Sequence, residues 1–178
     1  MFKILIGVLI AAFVVIVGFM VIDPNIKAGT QDYTTLVTSQ NTLSYTIEGE
    51  VSKAGTYTLS DVATMQDLID AAGGLTSNAD SRCFFSDTVI SKSVTYYIAP
   101  LYNESDICNT SEIDKVNVNV DDSEKLMTIN GVTSSIASSI VSHRTSNGEF
   151  KTIESLMDVY GIGNATYKKI RNYVILHE

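Results

Sequence analysis

The C-terminal part of this chain contains one stretch twice. "EKLMTINGVTSSIASSI", beginning at Glu124, aligns without a gap on "ESLMDVYGIGNATYKKI", beginning at Glu154. Glu, Leu, Met, Gly and Ile recur at 124/154, 126/156, 127/157, 131/161 and 140/170, and apolar pairs recur at 129/159 and 132/162. A repeat of this kind restricts the fold to two like units, each built from the same short elements. Within each copy a short helical pattern leads into an apolar-x-Gly-apolar turn and then into a second helical run. The second run carries Ile136 and Ile140 in one copy and Ile170, Tyr173 and Val174 in the other, all at helical spacing. Between the copies, "HRTSNGEFKT" holds an Asn147-Gly148 turn and reads as a connecting loop.

The second copy reads "DVYGIGNATYKKI" from residue 158 to residue 170, with two glycines around one apolar residue ahead of a basic run. Such a pair permits a tight turn and brings backbone N–H groups close to whatever lies outside. A helix beginning at Asn164 would put those donors at its positive end, a position suited to phosphate, with Lys168 and Lys169 within two turns. An ordinary interhelical turn beside a solvated Lys pair is the plainer reading. The first copy differs. It keeps Gly131 and Val132 but has Thr133 where the second glycine would stand, and Ser138 and Ser139 in place of the lysines. The hydroxyls of Thr133 and Ser134 can donate to phosphate oxygens or simply cap a helix. His143 and Arg144 add positive potential near the connecting loop.

The net charge of −8 argues against nucleic acid as a partner until it is divided along the chain. Asp23 to Asp122 holds 15 acidic and 5 basic side chains, whereas Ser123 to Glu178 holds 5 acidic and 6 basic. Only the duplicated region can therefore carry a positive patch. At the other end, Ile4 to Ile22 contains no charge and is long enough to cross a bilayer as a helix. A secretory signal peptide is the rival reading, but Ile26-Lys27-Ala28 is a poor small-x-small site. Lys3 precedes the run and Asp23 follows it, so the expected orientation puts the N-terminus in the cytoplasm and the remainder outside. Cys83 and Cys108 would then lie in an oxidising compartment as one disulfide or as two separate thiols. No nucleophile pattern, paired carboxylates, metal-ligand spacing or nucleotide loop is visible, so neither catalytic residues nor cofactor nor metal are expected.

Residues 43–80 begin with an alternating strand pattern and a Gly-containing turn, continue with a second strand through Tyr57 and Leu59, and then form a helix ending at Gly73-Gly74. "TYYIAP" reads as a later strand. Tyr102 to Asp122 is polar and acidic, and is expected to join the two regions flexibly and give the distal one reach.

The duplicated hairpins, the connecting "SHRTSNGEFKTIESLMDVYGIG" and the entry segment "VNVNVDDSEKLMTINGV" resemble the tandem helix-hairpin-helix domain of the ComEA family of competence DNA receptors, over roughly residues 115 to 176. "GEVSKAGTYTL" followed by "LIDAAGGLT" resembles the SLBB β-grasp module that accompanies that domain in single-membrane bacteria. The resemblance implies an α+β protein with a transmembrane anchor at 1–22 and a juxtamembrane linker at 23–42. A small β-grasp domain at 43–101, a linker at 102–114 and an all-α tandem helix-hairpin-helix domain at 115–178 would follow. It also implies a non-enzymatic, single-pass receptor that binds double-stranded DNA without sequence preference and passes it to uptake-channel proteins. The residues carried over to phosphate binding are Gly131, Val132, Thr133, Ser134 and Arg144 around the first hairpin, and Gly161, Ile162, Gly163, Asn164, Lys168 and Lys169 around the second. Asn130 departs from the family by standing at a position where proline is usual. The β-grasp module could hold a small ligand, which the sequence does not identify. The alternative is an envelope ligand-binding protein whose hairpins are structural.

Overall fold

The computed structural model describes residues 41–91, 93–103 and 111–178. The anchor expected at 1–22 and Cys108 lie outside the described residues. Among the described residues no helix is long and apolar enough to cross a membrane.

Strand β1 (Thr42–Gly49) follows from its alternation: Tyr45 and Ile47 are buried while Ser44 and Glu48 are exposed and Thr46 is half-buried. It pairs antiparallel with β2 (Gly55–Ser60), Tyr45 opposite Tyr57, and parallel with β3 (Thr95–Ile98), Ile47 opposite Tyr96, so β1 is the central strand. Helix α1 (Met65–Ala71) covers the sheet through Met65, Leu68 and Ile69. Its start is a reciprocal cap: Asp67 N–H donates to the Thr64 hydroxyl at 3.3 Å, and Thr64 N–H donates to the Asp67 carboxylate at 2.8 Å. The strands, the helix ahead of Gly73-Gly74 and the later strand at "TYYIAP" all stand where the sequence places them.

The duplicated region opens with β4 (Val116–Asn117) and closes with β5 (Val174–Ile175), which pair in parallel and bring its two ends together. Between them lie α2 (Ser123–Leu126), α3 (Ser134–Asn147), a 3-10 turn at Ile153–Asp158 and α4 (Asn164–Ile170). Helix α3 runs through the first half of the expected connecting loop and ends at Gly148, whose φ is 87°. The entry segment acts as a bracket. Asn119 accepts the Phe150 N–H at 2.8 Å and donates to the carbonyls of Phe150 and Leu176 at 3.0 Å each, tying the connection between copies to the chain's end.

Residues 41–178 form one compact unit, and buried apolar residues run without a break from the β-grasp module into the hairpin module. The expectation of two flexibly joined regions is corrected by a series of contacts between them. Tyr97 N–H donates to Glu154 Oε1 at 2.7 Å, and the Tyr97 hydroxyl donates to Asn172 Oδ1 at 2.9 Å. The Arg171 guanidinium lies 3.5 Å from the centroid of the Tyr97 ring, a cation–π contact. Leu176 N–H donates to the Arg82 carbonyl at 2.8 Å, and Phe85 N–H to the Lys151 carbonyl at 3.2 Å. The described ends of the connection are also held: Ile113 N–H donates to the Leu101 carbonyl at 2.8 Å, and Tyr102 and Glu112 form an antiparallel bridge.

Two buried carboxylates lie at or near this junction. Asp80 accepts both Arg82 (2.9 Å) and Lys115 (2.6 Å). Burial pushes its pKa upward, but the hydrogen bonds from these cations outweigh that and hold it at about 2. Glu154, only 5% exposed, accepts the Tyr167 hydroxyl at 2.9 Å as well as Tyr97 N–H. Burial dominates there and raises its pKa, against the lowering by those hydrogen bonds.

Candidate nucleic-acid interface

Each copy turns at four residues: Ile129-Asn130-Gly131-Val132 and Val159-Tyr160-Gly161-Ile162. Val132 N–H donates to the Ile129 carbonyl at 3.0 Å, and Ile162 N–H to the Val159 carbonyl at 3.0 Å. Gly131 has φ 106° and Gly161 has φ 94°, while Asn130 and Tyr160 are not in the positive-φ region. These are the features of a type II turn, in which the third residue must adopt positive φ and is therefore glycine. Ile129, Val132, Val159 and Ile162 are all buried and anchor the turns in the core. Val132 and Ile162 thus use their amides within the turns and their side chains in packing, and neither N–H points to an external phosphate.

The donors that remain are at the helix starts, where the two copies diverge. In the first, Thr133 stands at the N-cap with φ −86° and ψ 166°, and its hydroxyl accepts Ile136 N–H at 3.3 Å. Capping is therefore the role of this hydroxyl in the structure. Ser134 is the first residue of α3 and is exposed. In the second, Gly163 stands at the N-cap with φ −92° and ψ 177°, and no side chain caps the helix. Helix α4 begins at Asn164, as the sequence suggests, and the N–H groups of Asn164, Ala165 and Thr166 take no partner among the described residues. Gly163, Asn164 and Ala165 are exposed.

Lys168 and Lys169 lie on α4, exposed, and in no ion pair among the described residues. Their counterparts Ser138 and Ser139 lie on α3. Arg144, expected to add positive potential, is instead occupied by the fold: its guanidinium donates to the carbonyls of Val118 (2.7 Å) and Val120 (3.4 Å), clamping the end of α3 to the entry segment. His143 stacks on Phe150, with ring centroids 5.0 Å apart. Cys83 is a buried thiol 2.9 Å from the Asp80 carbonyl, and burial pushes its pKa up to about 12. The roles of Asn119, Glu154 and Arg171 were not foreseen from the sequence. Asn119 meets Phe150 and Leu176, 31 and 57 residues away, and Glu154 meets Tyr97, 57 residues away, beyond the reach of any local pattern.

Residues 44–86 match the SLBB domain family, and residues 111–175 match the helix-hairpin-helix motif family. The chain is 29% identical over 145 residues to ComE operon protein 1 of Bacillus subtilis (strain 168), an alignment covering 76% of this chain and 71% of that protein. A stretch of 68 residues is 38% identical to endonuclease/exonuclease/phosphatase family domain-containing protein 1 of Homo sapiens, but spans 12% of that protein and 36% of this chain. An uncharacterized protein of Haemophilus influenzae is 35% identical over 63 residues, 56% of its length. The first of these alignments extends well beyond either domain alone, so the similarity covers their combination. This chain carries an SLBB domain followed by a helix-hairpin-helix domain, and its similarity to ComE operon protein 1 runs through both.

Proposed function

We propose that the chain is a non-enzymatic receptor that binds double-stranded DNA through its phosphates during competence. The observation carrying this reading is the uncapped start of α4, where the N–H groups of Asn164, Ala165 and Thr166 are free, on the same short helix that carries the exposed Lys168 and Lys169 in its last turn. Backbone donors and point charges of this kind hold phosphates and do not read bases, so binding is independent of sequence. Gly161, Gly163, Asn164, Lys168 and Lys169 form the main contact. Gly131, Thr133 and Ser134 form a weaker one, because Thr133 already occupies one of its helix's donors. The test is a mobility shift of several unrelated duplexes by the full chain, because the hairpin module is packed against the β-grasp module. Comparable affinities on the order of micromolar, falling linearly with log salt, are expected. Failure to shift any duplex at low salt would overturn the reading and favour a ligand-binding protein with structural hairpins.

The anchor, the outward orientation of residues from about 23 onward and the delivery of DNA to channel proteins belong to the same proposal. They are supported by the uncharged run from Ile4 to Ile22. Protease added to wall-stripped cells should digest the C-terminal domains, and protection would refute the orientation. A Cys83–Cys108 disulfide is likewise proposed from the compartment, and mass spectrometry of unreduced peptides would decide it.

A further inference from the structure

One β-grasp residue reaches the second copy through its backbone, its ring and its hydroxyl. Tyr97 lies on the edge strand β3, and its N–H donates to Glu154 Oε1 at 2.7 Å. The same oxygen accepts the Tyr167 hydroxyl at 2.9 Å, which ties α4 to that strand. The Tyr97 ring lies against the Arg171 guanidinium, 3.5 Å from its centroid, and the Tyr97 hydroxyl donates to Asn172 Oδ1 at 2.9 Å. Lys168 and Lys169 sit between these attachments: Tyr167 precedes them, and Arg171 and Asn172 follow after buried Ile170.

The first copy is not built for this. At the offset of 30, Ala137, Val141 and Ser142 stand where the second copy has Tyr167, Arg171 and Asn172, and none of them carries a phenol, a cation or a carboxamide. Glu124, the counterpart of Glu154, is exposed. Packing within the module does not account for the difference, because Ala137 and Ile140 bury α3 at the same positions at which Tyr167 and Ile170 bury α4. The attachments to the β-grasp module and the lysine pair occur together in one copy, and both are missing from the other. A lysine is a point charge on a flexible stem, so the number of phosphates that a pair of them engages at once depends on how firmly the backbone beneath is held.

We propose that Tyr97 is a positioning residue for DNA binding. Through Glu154 and Tyr167 on one side, and Arg171 and Asn172 on the other, it fixes the backbone that carries Lys168 and Lys169. The β-grasp module thereby sets how many phosphates the second copy engages, without touching DNA itself. The proposal rests on the DNA-binding reading above.

The test uses the full chain and measures duplex affinity across a salt series. Tyr97→Leu removes the ring and the hydroxyl but keeps the N–H bond to Glu154, and every charge on α4 stays in place. It should weaken binding about fivefold, the worth of one phosphate contact at physiological salt, and lower the slope of log K against log salt by about one. Tyr97→Phe keeps the ring against Arg171 and should restore most of both. Asn172→Ala removes only the partner of the hydroxyl and should move affinity and slope in the same direction by less, so the inference can be judged even where Tyr97→Leu does not fold. A purely structural role gives a different result: destabilisation lowers the folded fraction, and with it the apparent affinity, but leaves the slope where it was. The inference is overturned if wild-type protein binds duplex DNA and the folded variants keep the wild-type slope. Failure of the wild-type protein to bind any duplex would overturn the DNA reading itself, and this inference with it.

Discussion

The two hairpins share a backbone but differ in what they leave open. At the N-cap, Thr133 (φ −86°, ψ 166°) and Gly163 (φ −92°, ψ 177°) have nearly the same conformation, one any residue adopts. A Cβ built on Gly163 meets nothing within 4 Å, so neither the turn nor the packing calls for glycine there. The contrast is with Gly131 and Gly161, whose positive φ is required by the turn in both copies. Gly163 leaves the start of α4 uncovered, where the Thr133 hydroxyl caps the start of α3. The same divergence continues along the helices, with Lys168 and Lys169 opposite Ser138 and Ser139. On the proposed reading the second copy makes the main phosphate contact, and the first mainly completes the fold.

The largest effect should come from the matched glutamates at the head of each copy. Glu154→Ala leaves Tyr97 N–H and the Tyr167 hydroxyl buried without an acceptor, and should cost about 3 kcal/mol of unfolding free energy. Glu124→Ala, at an exposed position, should change stability by less than ~0.5 kcal/mol. Denaturant melts of the two variants check this, and equal losses would break the comparison. The effect also has a pH signature. Burial raises the folded pKa of Glu154, so the folded state holds its proton more tightly than the unfolded chain does. Its contribution is therefore greatest below the unfolded value of about 4.5 and is lost as pH rises through the folded pKa. Glu154→Gln should flatten that part of the stability–pH curve.

Next in size is the basic pair. Lys168→Ala with Lys169→Ala should weaken duplex binding roughly tenfold and reduce the slope of log K against log salt by about one for each phosphate no longer neutralised. Ser138→Ala with Ser139→Ala should leave the slope where it was. If the lysines can be removed with affinity and slope both intact, the second hairpin is only a turn.

The smallest effect is the most discriminating. Gly163→Thr transfers the first copy's cap to the second, and should raise stability by a few tenths of a kcal/mol by satisfying a helix-start donor. It should also weaken DNA binding severalfold, because that donor and the approach to it are now covered. A protein that is slightly more stable and binds less well separates ligand access from folding, and circular dichroism melts beside binding curves read both. Unchanged affinity would show that the open helix start is not used.

Much of this could be read along the chain. The repeat, the two glycine turns, the start of α4 at Asn164, the first two strands and the capped helix of the β-grasp module all depend on interactions spanning a few residues. Periodicity and turn chemistry therefore report them directly. The divergence at Thr133/Gly163 and at the Ser and Lys pairs was also visible, but not its meaning. Only the backbone angles show that Gly163 could have carried a side chain. The use of the Val132 and Ile162 amides inside the turns was hidden in the same way, since a glycine pair alone does not say which neighbouring N–H is already bonded.

What the sequence by itself determined is the pair of like units, their glycine turns and the placement of positive charge in the distal half. Hydrophobic spacing, glycine conformational freedom and residue charge are local properties. What only the tertiary structure decided is that the two modules form one unit. Polar residues suited to a loose connection flank a junction in which Glu154 meets Tyr97, Arg171 covers the Tyr97 ring and Lys115 is buried against Asp80. Arg144 was likewise drawn from the candidate surface to the carbonyls of Val118 and Val120. The physical reason is the same in each case. A charged or polar side chain carries no sign of its partner, and whether it faces solvent, a phosphate or a buried acceptor depends on which distant segment the fold brings against it.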